Sequence, residues 1–184
     1  VDLQFGPRGD LYICDWYNPV KGHAQYSLRD TRRDRSSGRI WRVTAKNRPL
    51  VEPPTISNAT IPQLLEVLKR SEYVHRYRAK RELRNYPAEQ VIDNLNRWID
   101  GLDKKDPRFR HHQLEALWSL RTVGHTRPDL LRELLSCELP DARAAAVQQL
   151  RYCFQEIPDV LELLQRSIHD PDSMVRMEAA IAAS

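Results

Sequence analysis

Between residues 15 and 35 the chain gathers Asp15, Asn18, His23, Tyr26, Arg29, Asp30, Arg32, Arg33, Asp34 and Arg35 into twenty-one positions. These residue types can do three kinds of chemistry. Asp15, Asn18 and Asp30 offer oxygen ligands for a hard cation. His23 can take or give a proton near neutral pH, with Arg29 and Asp30 as further catalytic candidates. The alternation of Arg29, Asp30, Arg33 and Asp34 can orient a charged ligand. The same residues also fit a self-satisfied Ω-loop, with Arg29 paired to Asp30, Arg33 to Asp34, and Trp16 and Tyr17 anchoring the base. Both readings stand at this point. The loop is long for a connection, since unstructured links beyond about 12–15 residues are usually functional or disordered.

A second constellation lies downstream. "HRYRAKREL" (75–83), "FRHHQLEAL" (109–117), "ARAAAVQQL" (142–150) and "VRMEAAIAA" (175–183) each place Arg second: Arg76, Arg110, Arg143 and Arg176. The ladder can serve phosphates as a basic stripe. Alternatively, each Arg pairs with an acid near a helix start: Glu72, Asp106, Asp141, Asp170 or Asp172. Charge favours pairing. Residues 1–50 hold ten Lys/Arg and five Asp/Glu, whereas residues 51–184 hold nineteen and twenty. Nucleic-acid binders concentrate positive charge on one face, so we do not expect nucleic acid as a partner. A denser run, Lys69, Arg70, Arg76, Arg78, Lys80, Arg81 and Arg84, can bind a partner or an anion, but reads more readily as a solvated face or as the contact between a first repeat and the domain before it. His111-His112 reads as a surface pair, because a metal-binding helix prefers His at i and i+4 with an acid nearby.

Elements must position these residues. "VDLQF", "DLYICDW" and "GRIWRVT" alternate as strands, with "GPRG" as a turn between the first two. They predict a three-stranded antiparallel meander over residues 1–50. The "RGD" at 8–10 sits in that turn, which accounts for Gly9 without a receptor. The proline-rich "RPLVEPPTISNATIP" (48–62) continues neither helix nor ladder, and we assign 51–60 as a linker. The sequon "NAT" (58–60) has meaning only in a glycosylating compartment.

From residue 61 onward the apolar period is helical. "IPQLLEVLKR" (61–70), "AEQVIDNLNRWIDGL" (88–102), "RPDLLRELL" (127–135) and "IPDVLELLQRSI" (157–168) each precede an Arg-bearing helix, with Pro62, Pro87, Pro128 and Pro158 at or near the first turn. The repeats run approximately over 61–86, 87–124, 126–154 and 157–184. Four helix pairs at a near-constant step predict an α-solenoid. The frame of acid or Pro, Val-Arg, then Ala, then Leu resembles HEAT repeats, most clearly in "DPDSMVRMEAAIAA". The fold class expected is therefore mainly α: a HEAT-like solenoid of four helix pairs after a small β-meander.

Composition bounds the rest. Hydrophobic residues make up 41% of the 184, enough for a core. No apolar run reaches the ~18–20 residues of a membrane helix. Cys14, Cys137 and Cys153 show no C-x-x-C spacing, so neither a zinc site nor a haem attachment is encoded, and no metal is expected. Lacking an initiator Met, and ending inside the apolar stretch "MEAAIAAS", the chain is expected to be a piece of a longer protein.

The string "VDLQFGPRGDLYICDWYNPVKGH", the later "RD" pairs, "GRIWRVT" and the short HEAT-like repeats together resemble the PVC-type membrane-bound dehydrogenase family of bacteria. That resemblance implies that residues 1–50 are the last blade of a β-propeller similar to glucose/sorbosone dehydrogenases. It implies a periplasmic or cell-envelope parent, a quinone and haem c in the parent though no cofactor in this fragment, and the missing blades of the same chain as a partner. The loop would then form one wall of a ligand site, with Asp15, Asn18, His23, Arg29, Asp30, Arg33 and Asp34 facing it. The fragment alone is expected to be inactive. The alternative is a non-catalytic scaffold whose solenoid face binds a protein; a third reading is a nucleic-acid-binding HEAT protein.

Overall fold

A computed structural model describes residues 2–17, 30–34 and 36–184. The chain divides into two compact units, one of residues 1–55 with 71–75, the other of residues 56–70 with 76–184.

The first unit is a three-stranded antiparallel sheet of β1 (Leu3–Phe5), β2 (Leu11–Asp15) and β3 (Arg39–Val43), in the order β1-β2-β3. The register sets Leu3 opposite Ile13 and Ile13 opposite Trp41. It likewise aligns Phe5, Leu11 and Val43. Because side chains alternate across a strand, these six apolar residues share one face. Gly9 turns β1 into β2 with φ +80, a conformation that costs glycine little. The Asp10 of the RGD triplet is buried, at 1% exposure, and bonds the Arg42 guanidinium at 2.6 Å. Burial pushes its carboxyl up, but the Arg42 bond and the local backbone outweigh this and hold it below the ordinary value. An adhesion motif needs its carboxylate presented outward, so this triplet is a structural turn.

The second unit contains eight helices among the described residues: α1 (Ile61–Val67), α2 (Tyr73–Leu83, whose first three residues fall in the first unit), α3 (Ala88–Asp100), α4 (Phe109–Thr122), α5 (Pro128–Leu135), α6 (Pro140–Cys153), α7 (Val160–Ile168) and α8 (Ser173–Ala182). Local chemistry explains the starts. Thr60 donates its N–H to the Gln63 side chain at 2.8 Å, one half of a capping box for α1. Pro62, Pro128 and Pro140 occupy first-turn positions, where no amide hydrogen is missed. Pro158 instead lies in the turn before α7, and Asp159 is the N-cap residue. Asp172 caps α8 by accepting from Met174 N and Val175 N.

The core is leucine-rich. Leu64, Leu83, Leu95, Leu120, Leu131, Leu134 and Leu150 are fully buried. Helix α3 packs on α4, α5 on α6, and α7 on α8; α4, α6 and α8 also contact one another in succession. Ala79, Ala146 and Ala179, the small members of the repeat frame, are each at 0% exposure. Their counterpart in the second repeat, Gln113, is buried too. Residues 56–60, read from sequence as linker, pack with the helices: Ala59 is buried, and its carbonyl accepts the Tyr86 hydroxyl at 2.6 Å.

Candidate functional site

The base of the long loop is tied by Asp15. Its carboxylate accepts the Trp41 indole N–H at 3.0 Å and the Tyr17 backbone N–H at 2.9 Å. These two bonds hold its carboxyl below the ordinary value. Tyr17 takes φ +47, unusual for a non-glycine residue. The Arg39 guanidinium lies 3.3 Å from the Tyr17 ring centroid and 5.5 Å from that of Trp41, a cation between two π faces. Asp15 thus spends its oxygens on the loop base.

Asp30 binds Arg32 through two side-chain bonds of 3.0 and 2.7 Å and also accepts the Arg32 backbone N–H. The Arg32 bonds bring its carboxyl down to about 2. Arg29, the partner expected from sequence, lies outside the described residues, and the two-residue step to Arg32 closes a local turn around the carboxylate. Asp34 accepts from Ser36 N, Ser36 Oγ and Ser37 N, and stands at about 2, with the Ser37 side chain the first cause. Asn18, His23 and Arg29 lie outside the described residues. Among the described residues no group of three or more His, Cys, Asp and Glu is arranged to hold a metal ion.

The arginine ladder lies in the second unit. Arg76 Nε donates to Glu115 at 2.7 Å, and Lys80 meets the other oxygen at 2.8 Å. Arg110 reaches Glu133 at 2.7 Å and Glu138 at 3.1 Å. Arg143 grips Asp170 through two bonds of 2.8 and 2.9 Å. In each case the acid belongs to the following helix pair. Three of the four also reach back six residues to a carbonyl just ahead of their own helix: Arg76 to Arg70 O, Arg143 to Cys137 O and Arg176 to Asp170 O. Glu72, Asp106 and Asp141 were also expected as partners. Arg76 pairs with Glu115, and Arg110 with Glu133 and Glu138, acids that the sequence reading did not name. The Arg110 and Arg143 bonds hold Glu138 and Asp170 below their ordinary values.

Two features escaped the sequence reading. Glu115, at 1% exposure, is the buried hub of Arg76 and Lys80. His112 is buried at 3% with Asp106 at 3.3 Å, and His111 is half-buried beside Glu115 at 3.7 Å. The pair is therefore not a surface feature. Burial pushes both imidazoles below the ordinary histidine value. The helix period of 3.6 was the available signal: position 112 lies four residues before Ala116 and eight before Leu120, both apolar and fully buried.

No helix among the described residues is long and apolar enough to cross a membrane. Residues 127–184 match the family model for HEAT repeats. No curated protein and no solved structure matches the chain. The last four helices, α5 to α8, are thus similar in sequence to HEAT repeats, the match starting one residue before α5 and running past α8.

Proposed function

We propose that the helical unit is a HEAT-like solenoid whose role is to bind protein, a non-catalytic scaffold. The observation that carries this reading is the Arg-to-acid linkage between successive repeats. It ties consecutive helix pairs into one array, and the HEAT-repeat match over 127–184 supports the same architecture. Phosphate binding by the ladder loses its basis, because these guanidinium groups are engaged with carboxylates and carbonyls. Protein binding needs exposed apolar anchors, and Met174 and Met177 on α8 and Tyr77 on α2 are about half exposed.

The test is reconstitution. Partners cross-linked to the chain in its native extract are purified and titrated against it. The reading expects a stoichiometric complex that weakens at least tenfold when Met174 and Met177 or Tyr77 are replaced by Lys, with an unchanged melting temperature. If no purified candidate forms such a complex, the scaffold role is wrong.

The dehydrogenase-like parent, with its propeller, periplasmic setting, quinone and haem, rests on the resemblance of residues 1–50. The anchored loop base is compatible with a ligand wall above it. Absorption spectra of the full-length protein decide this reading: a quinone or haem band supports it, and a featureless visible spectrum with no turnover of sugars or alcohols removes it.

A further inference from the structure

We infer that a small cavity at the C-terminal ends of α4 and α6 receives one carboxylate, the side chain of an aspartate or glutamate on a partner polypeptide. The cavity holds about 100 Å³ and is walled by Leu117 and Arg121 of α4 and by Gln149 and Tyr152 of α6. Leu117 and Arg121 are one turn apart, as are Gln149 and Cys153, so each helix presents one face to the space. Helix α4 stops because Gly124 takes φ +71 and its N–H returns to Arg121 O at 3.0 Å. Gly124, His125 and Thr126 of that turn also line the cavity.

Gln149 supplies the first reason for a ligand. It is 3% exposed, its Oε1 accepts from Arg121 at 3.3 Å, and its Nε2 has no hydrogen-bond partner. Buried polar groups are nearly always satisfied, so an orphan donor lining a cavity calls for an acceptor. Arg121 supplies the second. Arg121 has no carboxylate ion pair among the described residues, and unlike Arg108 and Arg176, which also lack one, it does not donate to backbone carbonyls either but to the Gln149 side chain. It lies instead 3.9 Å over the Tyr152 ring, which fixes the guanidinium plane.

An amide N–H and a guanidinium edge are both donors. Their complement is a planar pair of acceptor oxygens. A carboxamide would set its own NH₂ against one of them. A phosphate brings more charge toward Glu156, which also lines the cavity. Leu117 can meet the methylene that carries the carboxylate. Assigning the carboxylate to a polypeptide rests on the scaffold reading; the site itself does not.

The test is a titration of the ¹⁵N-labelled chain with Ac-Gly-Glu-Gly-NH₂, followed at the Gln149 side-chain amide. The Glu peptide should shift that resonance saturably at roughly millimolar concentration, and Ac-Gly-Gln-Gly-NH₂ should not. Arg121→Gln should weaken binding about tenfold or more, and Glu156→Gln should tighten it by about threefold or more, both with unchanged melting temperature. No shift up to roughly 20 mM, or an equal response to the Gln peptide, overturns the site. Tighter binding of inorganic phosphate overturns the carboxylate assignment, and equal binding of acetate overturns the polypeptide assignment. A specific response to the Glu peptide without any protein complex upholds the site while the scaffold reading fails.

Discussion

Arg143 and Asp170 stand 27 positions apart in sequence and meet through two parallel bonds of 2.8 and 2.9 Å, with both side chains largely shielded from water. A fork-to-carboxylate pair of this kind depends on geometry as much as on charge. Arg143→Ala should destabilise the helical unit by about 1.5–3 kcal/mol, since it also frees the Cys137 carbonyl. Arg143→Lys should recover less than half, because an ammonium cannot span both oxygens. A double-mutant cycle with Asp170→Asn, read by urea unfolding, checks the coupling. An interaction energy indistinguishable from zero would mean that the pair is ornamental.

Acid should weaken the fold in two stages. His111 and His112 are held below the ordinary histidine value by burial, so the unfolded chain binds protons first. Their contribution is complete above about 6.5 and declines as pH falls through the lowered folded values. Asp170, Glu138 and Asp159 are also depressed, chiefly by their arginine partners. Their contribution is complete above about 4 and is lost as pH falls further. Melting temperature against pH should show both declines. His112→Gln should flatten the upper one and Asp170→Asn should reduce the lower.

Ala146 is fully buried in the row where α6 meets its neighbours. Ala146→Leu should overpack this contact and cost about 1–3 kcal/mol. A variant that melts like the parent would contradict the close approach of these helices.

At Gly124 the positive φ ends α4. Gly124→Ala meets no neighbour, yet must adopt a left-handed conformation. The expected loss is about 1–2 kcal/mol, measurable by thermal melts. Equal stability would mean that the turn can re-form with negative φ.

The loop base predicts a local effect. Asp15→Ala removes the acceptor for both Trp41 Nε1 and Tyr17 N. Amide exchange at Tyr17 should quicken, and Trp41 emission should move to the red, without a change in the helical circular dichroism signal. Unchanged exchange at Tyr17 would show that Asp15 does not hold the base.

The helices were legible because their causes are local. Pro62 and Pro128 mark starts, and leucines recur at the helical period. The step of 33 or 34 residues between Arg76, Arg110, Arg143 and Arg176 exposed the repeat. Their partners were not legible. Glu115 lies in mid-helix, and Glu133 sits near the end of α5; a carboxylate's distance in sequence says nothing about which repeat it faces. The orphaned Gln149 amide was equally hidden, because its state depends on a cavity formed by two helices distant in sequence. In the loop, Asp15 and Asp30 were legible as polar but not as already satisfied, since local turns compete for carboxylates.

The ladder also has a polarity. At Arg76, Arg110 and Arg143 the linkage runs from a cation in one helix pair to an anion in the next, while Arg127 to Asp100 runs the other way. Shortening the array is therefore asymmetric. Trimmed from the front, it leaves behind the buried acid Glu115 without Arg76 and Lys80. Trimmed from the rear, it strands an arginine, which cannot lose its charge at any ordinary pH. The two truncations should therefore leave unpaired charges of opposite sign.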